Sequence, residues 1–398
     1  MDILSNVCNI KVVGVGGGGN NTIKRMIQAG VSGVQFVAIN TDIQDLVKSN
    51  ADQVIQIGKE LTKGLGAGSN SDVGRAAAEE SIEEIKAMLE GTDLVFITAG
   101  LGGGTGNGAA PVVAKLAHDM GILTVGVVTK PFKFEGYKRE TNAEMGLKEL
   151  RKCVDSLMVI PNDKLYTIFK NDITFVDAFR YADDVLRQAI QGVSDVILKP
   201  ANINLDFADV AAIMRNKGTA HMGIGSAKGA NKTIEAVRQA VTSQLLETSI
   251  EGAESILMHI QGGRDLTLTE VYEAADLVRD VIDPKSNFIF GFSVDDDHVG
   301  ESTVTIIATG FEKKSAEEEE PETNLTTQVP QPENTSSNEE VAEEEELELE
   351  EVDEFEEDEE VEEESETQKD EVEDISIKSS KPIIDDDDIP PFLRKLKK

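Results

Sequence analysis

The chain has 398 residues and a formal net charge of −37, very unevenly placed. Residues 315–380 hold 30 acids against two lysines, Lys369 and Lys378, which leaves −9 on the remainder and no basic face able to follow a nucleic-acid backbone. Two cysteines, Cys8 and Cys153, with no Cys-x-x-Cys, and four unclustered histidines argue for a reducing cytoplasm and against a zinc site, while no apolar run reaches the roughly 18 residues that span a membrane. The first residues also lack the basic and apolar regions of a signal peptide.

The first predicted strand, Ile10–Val15, is β-branched and runs into Gly16-Gly17-Gly18-Gly19-Asn20-Asn21, with a helical stretch expected from about Thr22 to Ala29. Gly14-x-Gly16-x-x-Gly19 fits a dinucleotide fingerprint, and a second strand, Val34–Ile39, ends in Asn40-Thr41-Asp42. A further glycine-containing loop covers Lys63–Asn70. No Gly-Lys-Ser/Thr is present, so there is no P-loop lysine to neutralise phosphates.

The third apolar strand, Leu94–Thr98, precedes Gly102-Gly103-Gly104-Thr105-Gly106-Asn107-Gly108, five glycines among seven residues. A buried strand, a glycine turn and a following helix present successive N–H groups, and a positive helix end, to an anion. Strands at Thr124–Thr129 and Leu157–Pro161 complete the first region. Their near-continuous hydrophobicity predicts a parallel sheet buried on both faces, with ligand loops at the carboxyl ends of its strands.

A long helix follows from about Thr174 to Leu198, with Phe175, Phe179, Ala182, Leu186, Ala189, Ile190, Val193 and Ile197 at three- and four-residue spacing. Pro200 ends it. Residues 205–312 read as a smaller α+β region, with helices near 206–215, 231–246 and 267–282. Its strands are Ser255–Ile260, Phe288–Val294 and Thr303–Thr309, the last two expected to pair antiparallel across Asp295-Asp296-Asp297. Residues 315–380 have almost nothing to bury and read as disordered tether, about 45 Å long on average as a flexible coil. The chain closes on an apolar and basic tip, Ile389-Pro390-Pro391-Phe392-Leu393-Arg394-Lys395-Leu396-Lys397-Lys398, suited to docking into a partner's groove.

Taken together these segments resemble the FtsZ family, the bacterial relatives of tubulin. Gly102–Gly108 matches the Gly-Gly-Gly-Thr-Gly-x-Gly signature, with Asn107 where many members carry threonine. Gly16–Asn21, Asn40-Thr41-Asp42, Thr62–Gly68, Pro131-Phe132, Glu135-Gly136 with Arg139, Ile160–Asp163 and Asn204–Val210 match as well. The resemblance covers about residues 9 to 312 plus the terminal peptide.

What the resemblance implies is specific. The fold would be α/β: a GTP-binding domain over 1–173, a central helix and connector over 174–204, and an activating α+β domain over 205–314. An acidic linker over 315–380 and a partner-binding peptide over 381–398 would follow. GTP/GDP would be held by Gly16, Gly17, Gly18, Gly68, Gly103, Gly104, Thr105 and Gly106 around the phosphates. Glu135, Arg139 and Asn162 would stand near the ribose and phosphates, while Asn21 and Asp183 read the base and Phe179 stacks on it. Mg²⁺ would ride on the phosphates with no protein ligand set.

Asp206 and Asp209 are the catalytic pair that the resemblance implies, although acids at a helix start are also ordinary caps. Expected to lie away from the glycine loops, they would complete the pocket of a neighbouring subunit in a head-to-tail homopolymer. The implied protein is cytoplasmic, acts at the mid-cell division site, and recruits adaptor and membrane-tether proteins through Asp385–Lys398. It does not insert into the membrane itself. The competing readings are a dinucleotide-dependent oxidoreductase built on Gly14–Gly19 and a scaffold that has lost hydrolysis. The first gives Asp206 and Asp209 no role, and the retention of both acids and of Arg139 argues against the second.

Overall fold

The computed structural model describes residues 8–165, 174–199, 201–203, 205–242, 250–295 and 298–311. The expectations for 315–380, for 381–398 and for the Asp296-Asp297 part of the acidic turn lie outside these residues, as does Asn204 of the Asn204–Val210 match. The described residues all belong to one compact unit.

Six strands alternate with helices through the first half: β1 (Ile10–Val15), β2 (Gln35–Asn40), β3 (Gln53–Gln56), β4 (Leu94–Gly100), β5 (Leu123–Lys130) and β6 (Ser156–Pro161). All pair in parallel, in the order β3-β2-β1-β4-β5-β6. Strand β1 is the switch point, because the chain builds outward from it in both directions. Open α/β sheets bind ligands in the crevice that forms there, outside the strands' carboxyl ends.

Two helices leave that crevice: α1 (Gly16–Gln28) after β1 and α6 (Thr105–Asp119) after β4. Between them in sequence lie α2 (Ile43–Leu46), α3 (Lys59–Thr62), α4 (Ser71–Glu80) and α5 (Ile82–Leu89). After β5 come a 3-10 turn, Lys133–Glu135, and α7 (Tyr137–Arg151). The two-residue period of the strands divides the core. Val13 and Val15 of β1 and Val95 and Ile97 of β4 face Ala77, Ile85, Ala110 and Val113 on one side. Ile10, Val12, Leu94 and Phe96 face Ile23 and Met26 of α1 on the other.

The predicted long helix is α8 (Phe175–Leu198). It adds Leu186, Ile190 and Val193 to that second face, and α9 (Phe207–Met214) adds Val210 and Ile213. The sheet continues without a break through β7 (Gly218–Lys228), which touches β6 in parallel at only two residue pairs. Then come α10 (Lys232–Val241), β8 (Ser255–Gly262), α11 (Leu268–Arg279), β9 (Asn287–Val294) and β10 (Glu301–Thr309).

Strands β9 and β10 do not pair, contrary to the hairpin expected from their proximity in sequence. Strand β10 lies antiparallel between β7 and β8, and β9 lies parallel outside β8. The cause is α11: a helical crossover from β8 returns the chain parallel to β8, which puts β9 on the outer edge. A second difference concerns Gly16–Asn21. These residues are no loop ahead of a helix, because α1 begins at Gly16 and the glycines form its first turn.

Candidate nucleotide site

A cavity of about 360 Å³ opens at the crevice between β1 and β4. Its floor is the first turn of α1, with Gly16, Gly17 and Gly18, and the start of α6, with Gly103, Gly104, Thr105 and Gly106. Two close approaches make this geometry glycine-dependent. Gly16 has φ +74° and a Cβ there would stand 2.8 Å from Gly106 N; Gly102 has φ +96° and a Cβ would stand 2.7 Å from the Arg139 carbonyl oxygen. Gly17 and Gly103 differ, since a Cβ on either would meet nothing within 4 Å. They leave open space where backbone N–H groups and two helix N-termini converge, which is an anion cradle.

The walls carry polar groups suited to a nucleoside. Asn162 is buried, and its Oδ1 is an acceptor with no hydrogen-bond partner. Such an atom costs free energy unless a ligand hydroxyl or water meets it. Glu135 Oε1 accepts from Phe132 N at 2.9 Å, and Oε2 pairs with the half-exposed Arg139 guanidinium. Phe179 lines the cavity while Phe132 meets it edge-on, ring centroids 5.1 Å apart, so one aromatic face is buttressed. Asn21 is exposed and lines the same cavity as Asp183 on α8. Residues here fit a nucleotide: a phosphate cradle, an orphaned acceptor, an aromatic wall and a carboxylate.

Every nucleotide-binding residue predicted from the sequence lines this cavity except Gly68. The Gly68 loop packs behind it, since a Cβ on Gly104 would meet Ala67 Cβ and the Asn70 backbone at 2.9 Å. Among the described residues no cluster of three or more His, Cys, Asp or Glu side chains converges to hold a metal ion.

Several residues of the site escaped the sequence reading. Asp183 Oδ1 accepts from Thr22 Oγ1 at 2.7 Å, and Oδ2 pairs with Arg25 Nε at 2.7 Å. Burial pushes the Asp183 carboxyl up, while the Thr22 hydrogen bond and the Arg25 charge pull it back. Thr105 Oγ1 and Thr41 Oγ1 are hydrogen-bonded at 2.7 Å, which binds the signature helix to the end of β2. Behind it, Asp45 accepts from both Asn20 Nδ2 and Asn40 Nδ2, at 3.0 and 2.7 Å.

Asn107 does not face the cavity. It is buried, its Oδ1 accepts from Gly102 N at 3.2 Å and its Nδ2 donates to Asn142 O at 2.8 Å. Its carboxamide sits under Gly146, where a Cβ would come within 2.2 Å of Oδ1. The asparagine therefore joins the phosphate turn to α7, the helix that carries Arg139. The spacing of the signature gave no hint of this, because the residue points away from the loop's concave face.

Asp206 and Asp209 are absent from the cavity lining. Asp206 Oδ1 accepts from Asp209 N and Asp209 Oδ2 accepts from Asp206 N, both at 3.0 Å, a reciprocal capping box at the start of α9. Each carboxylate keeps its second oxygen outside this box. The far end of α9 is tied to the sheet, with Thr309 Oγ1 donating to Ile213 O and Ser156 Oγ to Met214 O, both at 2.6 Å. The acids thus stand on a short helix that is capped at its start and tied to the sheet at its end.

Residues 9–170 match the family model for the Tubulin/FtsZ GTPase domain, and residues 218–312 match the FtsZ C-terminal domain. A solved empty FtsZ dimer from M. jannaschii is 46% identical, with a TM-score of 0.72 over 78% of this chain and 90% of that one. A mutant of M. jannaschii FtsZ gives 47% identity and a TM-score of 0.71 over 76% and 91%. A GTPγS-bound CetZ2 protofilament from Haloferax volcanii, at 23% identity and a TM-score of 0.64, shares the fold over 75% of this chain and 92% of that one. With its glycine-floored guanine-nucleotide site and these matches, the chain belongs to the FtsZ family and is a tubulin-like GTPase.

Proposed function

We propose that this GTPase assembles head to tail into filaments of the cell-division ring and hydrolyses GTP at the contact between subunits. The observation that carries this reading is the separation of binding from chemistry. The cradle, Asn162, Phe179 and Asp183 form one cavity, while Asp206 and Asp209 lie outside its lining on an anchored helix. An acid pair held rigidly but away from its own pocket has a use if it enters the pocket of the next molecule. Contacts of that heterologous kind do not close on themselves and so propagate as filaments.

In such a composite site Gly17, Gly18, Gly103, Gly104 and Gly106 would hold the phosphates through backbone N–H groups, with Gly68 supporting from the loop behind. Asn21 and Asp183 would read the guanine edge, Phe179 would stack on the ring, and Glu135, Arg139 and Asn162 would meet the sugar and phosphates. The arriving Asp206 and Asp209 would orient and polarise the attacking water through their unengaged oxygens, a contribution of order 10²–10⁴ in rate. Mg²⁺ supplies charge neutralisation on the phosphates when bound, held by phosphate oxygens and waters. The M. jannaschii FtsZ neighbour is a dimer, which supports self-association within the family.

The protein would work in the cytoplasm at mid-cell, with the terminal peptide Asp385–Lys398 recruiting adaptors and membrane tethers. No described helix is long and apolar enough to cross a membrane. Sedimentation in GTP against GDP, with phosphate release followed in the same sample, tests the reading. Pelleting in GTP alone, accompanied by release, is expected; release without polymer would overturn it.

A further inference from the structure

We infer that Arg25 determines the base specificity of the site: together with Thr22 it keeps Asp183 as an acceptor-only carboxylate, and so admits guanine and rejects adenine. The inference rests on the reading above that Asp183 meets the base. Both partners come from α1, three residues apart, so they share one face of the helix. That same helix opens with the glycines of the phosphate cradle. One element therefore sets both the phosphate end and the base end of the ligand.

The chemistry follows from counting lone pairs. An ionised carboxylate offers about four acceptor positions and no donor. Thr22 Oγ1 at 2.7 Å occupies one on Oδ1, and Arg25 Nε at 2.7 Å occupies one on Oδ2. One position on each oxygen remains, which suits two parallel donors such as guanine N1–H and N2–H. A protonated acid would present one donor and one acceptor instead. That pattern matches the N1 acceptor and N6 donor of adenine. The ionisation state of Asp183 is thus the difference between two nucleotides.

Burial works against ionisation, since the Asp183 side chain is only 14% exposed. Arg25 is the counter-charge that meets it. Of the other charged groups nearby, Asp184 pairs with Arg187 on α8 itself, Glu135 pairs with Arg139 across the cavity, and Arg180, three residues before Asp183 on α8, is exposed. On α1, Lys24 is exposed on the side of the helix away from Thr22 and Arg25's neighbour Met26 is buried in the core.

The test measures GTP and ATP affinity of the full-length protein between pH 5 and 8.5. Variants are Arg25→Gln, Arg25→Lys, Thr22→Val and Asp183→Asn. An opposite charge at this distance moves a carboxyl by about 1–3 units. Arg25→Gln should therefore move the pH below which GTP affinity falls upward by about 1–3 units relative to the unaltered chain, and gain ATP binding below that pH. Thr22→Val should shift the profile in the same direction, and Arg25→Lys should restore it. A pH profile for Arg25→Gln and Thr22→Val that superimposes on the unaltered one overturns the inference. Asp183→Asn separates the two levels of the argument: unchanged GTP affinity in that variant means that Asp183 does not read the base at all.

Discussion

Asp206 and Asp209 cap each other: each carboxylate accepts the other's backbone N–H at 3.0 Å, using one oxygen apiece. The same two acids thereby hold the start of α9 and present one unengaged oxygen each. Stability and chemistry can be separated here by chemistry alone. Asparagine caps a helix as well as aspartate does, whereas alanine costs about 1 kcal/mol. Asp206→Asn should keep the melting temperature and lower GTP turnover by a factor of order 10²–10⁴, with GTP affinity held within about twofold. Asp209→Ala should lose both turnover and some stability. Calorimetry beside a phosphate-release assay decides it.

The cradle makes a contrast between two glycines. A methyl on Gly17 meets open space, while one on Gly104 meets Ala67 and Asn70 at 2.9 Å. Gly17→Ala should stabilise the nucleotide-free protein by up to about 1 kcal/mol, since alanine is the better helix former, while weakening GTP binding more than tenfold. Gly104→Ala should destabilise the protein itself. Urea unfolding without nucleotide, followed by GTP titration, distinguishes the two.

Asn107 supplies the acceptor for the buried Gly102 N–H and ties that turn to Asn142 on α7. Asn107→Leu would leave that amide unpaired, at a cost of about 1–3 kcal/mol. The Michaelis constant for GTP should rise in step, because the phosphate turn loses its tie to the helix of Arg139. An unchanged Michaelis constant at lowered stability would reduce Asn107 to a purely structural residue.

His259 sits in β8, nearly buried, with Asp195 and Lys199 of the α8 end nearby. Burial lowers its pKa from 6.5 to about 4, the Asp195 charge opposing and Lys199 assisting. The folded chain thus stays unprotonated at this site between those values while the unfolded chain takes up a proton. Stability should fall as the pH drops from 6.5 to 4, by up to about 3 kcal/mol from this group. His259→Gln should flatten that part of the stability profile in denaturant titrations at successive pH values.

Five of the six strands of the first half were legible because strands buried on both faces are written as unbroken apolar runs, whereas the short edge strand β3, with Gln53 and Val54 exposed, was missed. Val12, Val13, Phe96 and Ile97 are all fully buried, on alternate sides. Strand β7 was not legible, since its sequence Gly-Thr-Ala-His-Met-Gly-Ile-Gly mixes glycines and a histidine into the run. The pairing of β9 and β10 failed for another reason: neighbours in a sheet are chosen by crossover geometry, which no local pattern encodes. In the site, glycines announce a cradle because few other folds need so many. Thr22 and Arg25 are silent in sequence, as each acts through a partner far away along the chain, 161 residues in the case of Thr22 and Asp183, while the signature shows Asn107 but not the side of the turn that it braces.

The composite site is tested most directly by GTP turnover per subunit as protein concentration rises, with polymer measured in the same samples. Turnover per subunit should be near zero in dilute solution and climb as filaments appear. A profile independent of concentration, with dispersed subunits hydrolysing GTP as fast as assembled ones, would contradict a pocket completed by the neighbour's Asp206 and Asp209.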